Sequence, residues 1–206
     1  MAYRKTREIF KERTQGRTIL NIPQCEIIAK YEDIDHDQWL GYRDTGIGGS
    51  DSGAVLAISK YTSPFLLCME KTGRVKPKDL SDNEAVTMGN VLEPLIRDNI
   101  VQPFIKEKLD IDVEVIAPDA MYRNKDNPFM IINPDGFLML NDGKFDTDLV
   151  GLEIKTGSSY VLKDWGGKDG DKVPPTYYSQ VQHYLAGTGL DEWWIVGLIG
   201  INGCLE

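Results

Sequence analysis

Three features of the order of patterns along the chain predict an α/β (α+β) fold with a mixed central β-sheet flanked by helices. The first half carries helix caps and helical apolar spacing, residues 113–154 read as short strands, and a helix followed by one further strand ends the pattern. A strand returning after a helix makes a parallel pairing available, whereas the hairpin signal among the earlier strands demands an antiparallel one.

The elements follow in order. Residues 36–43 form a short helix whose apolar face is Trp39 and Leu40. A glycine-rich turn, Gly46-Ile47-Gly48-Gly49, feeds an apolar-periodic run through Ile58, with Ser50 as its expected N-cap. Ser63-Pro64 opens another helix as cap and first residue, and Gly73 closes it. A longer helical stretch over residues 82–109 is expected to bend or break at Pro94 and Pro103. Residues 113–117, 129–132, 136–140 and 149–154 are predicted strands, with Asn141-Asp142-Gly143 as the hairpin turn joining two of them. A Gly- and Lys-rich loop covers residues 165–172, Pro174-Pro175 leads into a helix through Leu185, and residues 192–199 form the last strand.

With 206 residues, 41% of them hydrophobic, the chain is expected to be a single domain spanning residues 1–206, without repeats or long linkers. No run of about 18 apolar residues suggests a membrane span. Cys25, Cys68 and Cys204 are scattered and odd in number, which fits neither a disulfide framework nor a Cys-x-x-Cys metal site. A reducing, cytoplasmic setting is the simplest expectation. The net charge is −9, but residues 1–20 form a basic extension: Arg4, Lys5, Arg7, Lys11, Arg13 and Arg17 against Glu8 and Glu12, a balance of +4 that leaves −13 for the remainder. That balance disfavours a protein that merely coats DNA, whose affinity needs a broad basic surface. The ending Leu205-Glu206, just after the last strand, suggests a cloning remnant on a truncated C-terminus.

Chemistry concentrates in Asn133-Pro134-Asp135-Gly136 and Gly151-Leu152-Glu153-Ile154-Lys155. On a strand, Glu153 and Lys155 share one face while Leu152 and Ile154 take the other. Two charges on an apolar strand are tolerated where that face lines a cleft. Asp135 at a strand-end turn and Glu153 on the neighbouring strand could hold a magnesium ion between them, with the Ile154 carbonyl within reach. Lys155 could orient an attacking water or stabilise transition-state charge in phosphodiester hydrolysis. Manganese accepts the same oxygen ligands. Each piece has an ordinary reading too: Pro-Asp-Gly is a common turn, and Glu-x-Lys a common solvated strand face. On these residues alone both readings stand.

The wider pattern resembles the PD-(D/E)xK nuclease superfamily and, within it, the YqaJ-like viral recombinase family of phage-lambda-type exonucleases. Four segments carry the likeness in order: "RDTGIGGSD" from Arg43, "GNVLEP" from Gly89, the Asp135 and Glu153–Lys155 set, and "YYSQVQHY" from Tyr177. The resemblance covers residues 39–200. It implies Asp135 and Glu153 as principal metal ligands, Glu93 as a helix carboxylate that joins them, and Lys155 as the catalytic lysine. Tyr177 and Gln180 would border the site from one helix face, and Arg43 and Ser50 would hold DNA phosphates. It further implies a 5′-to-3′ exonuclease acting on double-stranded DNA ends in phage recombination, a ring-shaped homo-oligomer, typically a trimer, and a single-strand annealing protein as partner. Two other readings compete: a restriction- or repair-type endonuclease, and a catalytically silent DNA-binding module. Each matched residue also has an ordinary reading, Glu93 as a solvated helix carboxylate and Tyr177 and Gln180 as amphipathic-helix positions. His36 and His183 read as structural or surface residues, and Trp193-Trp194 as strand packing.

Overall fold

The computed structural model describes residues 19–140, 149–167 and 170–200. Most of the basic extension, the Asn141-Asp142-Gly143 turn, part of the 165–172 loop and the terminal Leu205-Glu206 lie outside them.

Two four-stranded sheets form the centre. Strands β1 (Cys25–Lys30), β2 (Ile47–Gly48), β3 (Val113–Ile116), β4 (Ala120–Asn124), β5 (Met130–Ile132), β6 (Gly136–Leu140), β7 (Leu149–Gly157) and β8 (Trp193–Ile199) divide into the orders β3-β6-β7-β8 and β1-β4-β5-β2. Each sheet is mixed. In the first, β3 and β7 pair antiparallel with β6 while β8 runs parallel to β7; in the second, β4 pairs antiparallel with β1 and β5 while β2 runs parallel to β5.

Strand β7 explains the layering. Val150, Leu152 and Ile154 join Leu138 and Leu140 of β6 in a core cluster closed by Ile96, Val101 and Ile105 from the helical stretch above. Each such side chain contributes about 1.5–3 kcal/mol by leaving water. The alternate residues of β7 face the other way, toward helix α6 (Pro175–Thr188), where Phe137, Val181, Tyr184 and Trp193 pack with Tyr122 and Ile132 of the second sheet. Thus α6 lies in the seam between the sheets. Gly151 makes room for that seam, because a β-carbon there would meet the Trp193 ring at 2.2 Å.

The helices follow the sequence signals with informative exceptions. Helix α1 (His36–Asp44) begins at a capping box between Asp35 and Gln38, a signal the sequence reading passed over. Helix α2 is a single turn (Ser52–Val55) after a 3-10 turn, Gly49–Asp51. Ser50 therefore caps no helix: it sits within the 3-10 turn, and the Gly48 N–H is satisfied by Asp51 at 3.0 Å. The apolar run through Ile58 does not continue as helix, since the Ile58 and Ser59 N–H groups turn back onto the Gly53 carbonyl. Helix α3 (Pro64–Lys71) starts as expected, with the Ser63 hydroxyl accepting from the Leu66 N–H and Gly73 at a positive φ beyond its end.

Helix α4 (Glu84–Ile96) runs through Pro94 and passes by a π-helical segment, Arg97–Val101, into α5 (Gln102–Leu109). No break occurs at either proline. The π segment contains Asn99, four residues before Pro103, so its wider turn relieves the clash that this proline ring would make with that carbonyl. Strands β1, β2 and β4 were absent from the sequence reading. The register of β1 slips between Ile27 and Ala29, β2 is two residues long, and β4 is buried on both faces, so none shows a clean period of two.

Candidate nuclease site

The carboxyl group of Asp135 stands at the entrance to β6, directly after β5. One of its oxygens accepts the Ile154 N–H at 2.7 Å, and its carbonyl accepts from Arg97 at 3.1 Å. That tie across to β7 makes Pro134-Asp135-Gly136 a docked corner rather than a free turn. Ile154 places its side chain in the core on the helical side and its amide on Asp135.

On the opposite face of β7, Glu153 is fully buried. One carboxylate oxygen accepts both the Lys155 ammonium and the side-chain amide of Gln180. The other oxygen has no hydrogen-bond partner. Lys155 lies over the Tyr177 ring, 5.2 Å from its centre, and Tyr177 leans in turn on Trp165. Tyr184 closes the back of the site. Its hydroxyl accepts from Gln180 at 3.3 Å and donates to the Asn133 carbonyl at 3.0 Å. Spacings of three and four on α6 put Tyr177, Gln180 and Tyr184 on the face that meets β7.

Glu93 reaches toward the same place from α4, lining with Asp135 a cleft of about 500 Å³. The electrostatics of the carboxylates are unbalanced. Burial, then the charge of Asp135, pushes Glu153 up to about 8, and the same two causes push Glu93 up to about 7. Asp135 is itself raised, by burial. For Lys155, burial works to lower the value, but the charges of Glu153 and Asp135 outweigh it, so the net shift is upward and the amine stays an ammonium ion. Three acids are raised in spite of the nearby Lys155 and of Arg97, which is itself held by Asp98, so the cluster is short of positive charge. Among the described residues, no three His, Cys, Asp or Glu side chains form a ready-made metal shell.

A second polar cluster forms beside the first. The Arg43 guanidinium donates to the Ser50 hydroxyl at 2.9 Å, so the two residues matched to phosphate binding stand together. Lys71, which sequence reasoning missed, holds them: its ammonium meets Asp51 at 3.0 Å, Asp44 at 3.5 Å and the Arg43 carbonyl at 2.9 Å. Gly49 lets this corner close onto α6, since a β-carbon there would lie 2.5 Å from the Tyr184 ring. Arg97 and the Asn133 carbonyl were likewise unforeseen, because their roles arise from contacts between distant segments; Tyr184 is the exception, since helical spacing already places it on one face with Tyr177 and Gln180. His183 is structural as expected, meeting the Ile131 carbonyl at 3.1 Å.

A mixed α/β sheet with an aspartate at one strand end and Glu-x-Lys on its neighbour has the form of a PD-(D/E)xK-like nuclease fold. The chain belongs to the YqaJ-like viral recombinase family within that superfamily: the model of the YqaJ-like viral recombinase domain matches residues 38–191. It is 32% identical over 181 residues to the uncharacterized protein YqaJ of Bacillus subtilis (strain 168), across 87% of this chain and 51% of that protein. It is 29% identical over 196 residues to the uncharacterized protein R354 of Acanthamoeba polyphaga mimivirus, across 90% of this chain and 32% of the other. The chain thus spans about half the length of one curated relative and a third of the other. Among solved structures, the crystal structure of an alkaline exonuclease (LHK-Exo) from Laribacter hongkongensis superposes with a TM-score of 0.54 at 20% identity, over 79% of this chain and 74% of that one. At that identity the likeness speaks for the fold.

Proposed function

We propose that this chain is a metal-dependent DNA exonuclease that hydrolyses linear double-stranded DNA from its 5′ ends in phage-type homologous recombination. The observation that carries the reading is the Glu153 carboxylate, fully buried, with one oxygen doubly bonded to donors and the other unpartnered. A buried acceptor without a donor is costly, and a cation is the partner that would serve it and its acidic neighbours at once. The donors fit magnesium, or manganese in its place: this ion takes one or two carboxylates and keeps several waters, so it needs no all-protein cage. Asp135 and Glu153, joined by Glu93 and the Ile154 carbonyl, would hold it. When bound, such an ion polarises the phosphate and lowers the pKa of water.

The chain's own groups divide the remaining work. Lys155, held as an ammonium ion between Glu153 and the Tyr177 face, can donate to the attacking water or to the charge that develops on phosphate. Gln180 fixes one Glu153 oxygen, and the other, which has no donor, would be free to serve a metal. Arg43 and Ser50 would take the terminal phosphate, which favours recognition of an end over cutting within a chain. A ring-shaped homo-oligomer, an annealing-protein partner and a cytoplasmic setting belong to the same proposal; no helix among the described residues is long and apolar enough to cross a membrane.

The test is digestion of a linear duplex bearing a 5′-phosphate, with and without magnesium, by wild type and Lys155→Ala. Loss of one strand from its 5′ end is expected only with metal, and about 100- to 1,000-fold slower in the variant. Absence of digestion by wild type would favour the silent DNA-binding module, and cleavage of closed circles the endonuclease.

A further inference from the structure

Of the described Asp, Glu, Lys and Arg residues the fold buries two, Glu153 and Arg97. The proposed chemistry uses the first and leaves the second without a task. Burying a guanidinium costs several kcal/mol unless its charge is paired and its N–H groups are bonded. Arg97 meets both needs. Its Nε donates to Asp98 Oδ1 at 2.8 Å and its Nη2 to Asp98 Oδ2 at 3.4 Å, while Nη1 reaches the Asp135 carbonyl at 3.1 Å. The fork on Asp98 matches the charge, and the third bond ties the helical layer to the corner that carries Asp135. On its other flank the corner is fastened through Asn133. The Asn133 side-chain oxygen accepts from the Tyr31 hydroxyl, and its carbonyl accepts from Tyr184 at 3.0 Å.

We propose that Arg97 is a positioning residue of the metal site, setting Glu93 on α4 against Asp135 at the start of β6; the inference rests on the metal-dependent reading. The three carboxylates come from three elements, and two of these are already locked together. Strands β6 and β7 share a ladder in which Gly136 stands opposite Leu152, and Asp135 accepts the Ile154 N–H at 2.7 Å. Helix α4 has no such ladder. Leu92 and Ile96 pack on Leu152 and Ile154, an apolar contact that is strong but without direction. The bond from Arg97 adds the direction. Glu93 lies four residues earlier on the same helix face, and both residues line the cleft beside Asp135. In a continuous α-helix, Ile96 and Val101 would stand about 140° apart. The π turn that opens at Arg97 brings both into one core cluster, so the helix keeps Glu93 and Arg97 on the cleft and still returns Val101 and Ile105 to the sheet. Magnesium demands near-ideal octahedral geometry, which makes its affinity sensitive to where Glu93 is held.

The experiment measures magnesium binding without DNA, as the rise in Tm over a magnesium series, for wild type, Arg97→Met and Arg97→Lys, each checked for folding by circular dichroism in EDTA. Partners that orient metal ligands change affinity by about 10- to 100-fold, so Arg97→Met should raise the Kd for magnesium at least about tenfold. Arg97→Lys keeps the charge but lacks the planar fork, and should raise it at least about threefold. The sign of the change separates positioning from charge, because removing a cation near the site would by itself tighten magnesium binding. An unchanged or lower Kd in Arg97→Met overturns the proposal, as does a wild-type Kd in Arg97→Lys. If Arg97→Met does not fold, the lysine variant decides alone. Absence of any magnesium shift in wild type would remove the metal reading and this inference with it; a wild-type shift retained in both variants removes only the role of Arg97.

Discussion

Two polar clusters sit side by side in this molecule, and they are built on opposite principles. Around Asp135, Glu153 and Glu93 the acids are raised out of their ordinary range by burial, and one buried oxygen has no donor. Around Arg43 and Ser50 the polar groups have partners close by: Lys71 bridges Asp51, Asp44 and a carbonyl, and Arg43 donates to Ser50 while lying over Trp39. An unbalanced cluster calls for an added cation. A balanced one is a preset holder, whose donors can turn to an incoming anion with little rearrangement. On the proposed function, the first cluster should therefore respond to metal and the second to the chemistry of the DNA end.

The largest expected effect comes from removing a charge from the unbalanced cluster. Asp135→Asn should lower metal-dependent digestion by at least about 1,000-fold. It should also abolish stabilisation by magnesium, which at ten times its Kd amounts to about 1.4 kcal/mol, or about 3–6 °C in Tm for a chain of this size. Differential scanning fluorimetry with a magnesium series reads the second quantity without any substrate. A variant that still shifts with magnesium would place the ion elsewhere.

A smaller effect is expected in the balanced cluster. Lys71→Met removes the ammonium that joins the end of α1 to the Gly49–Asp51 turn, leaving Asp51 and Asp44 without it. The preference for 5′-phosphate over 5′-hydroxyl ends, measured as a ratio of kcat/KM values, should fall about fivefold to tenfold, with Lys71→Arg restoring part of it. An unchanged ratio would show that Arg43 and Ser50 keep their places without Lys71.

The smallest effect lies between the clusters, at His183 on α6. Burial lowers its pKa, so the fold favours the neutral ring. As pH falls through about 6.5, the ordinary histidine value, the unfolded chain takes up a proton that the folded chain resists. The stability tied to the neutral ring is therefore present above that pH and is lost below it. In denaturant titrations at pH 7.5 and 5.5, His183→Gln should lose less stability on acidification than wild type; equal losses would assign the slope to the carboxylates instead.

Much of the site was legible because its residues lie close in sequence on regular elements. The period of two on β7 separated Glu153 and Lys155 from Leu152 and Ile154, and the structure has that alternation, with the apolar pair in the helical core. Helical spacing likewise grouped Tyr177, Gln180 and Tyr184. The readings that failed depended on local signals that tertiary contacts overrode. Ser50 has the chemistry of an N-cap, yet Arg43 claims its hydroxyl. Of the break or bend signalled by Pro94 and Pro103, no break occurs: a π-helical segment between them carries the helix onward, with Ile96, Val101 and Ile105 all packed in one core cluster.

By itself, then, the sequence determined the mixed α/β class, the faces of β7 and α6, and the residue types of the carboxylate–lysine site, since periodicity and side-chain chemistry are properties of neighbours along the chain. Tertiary structure decided the division into two sheets, the docking of Asp135 onto the Ile154 amide, the unpartnered Glu153 oxygen and the grip of Lys71 on the Arg43–Ser50 corner. Those depend on which groups lose water and which donors then remain within about 3 Å, and segments far apart in the chain settle that only when they pack.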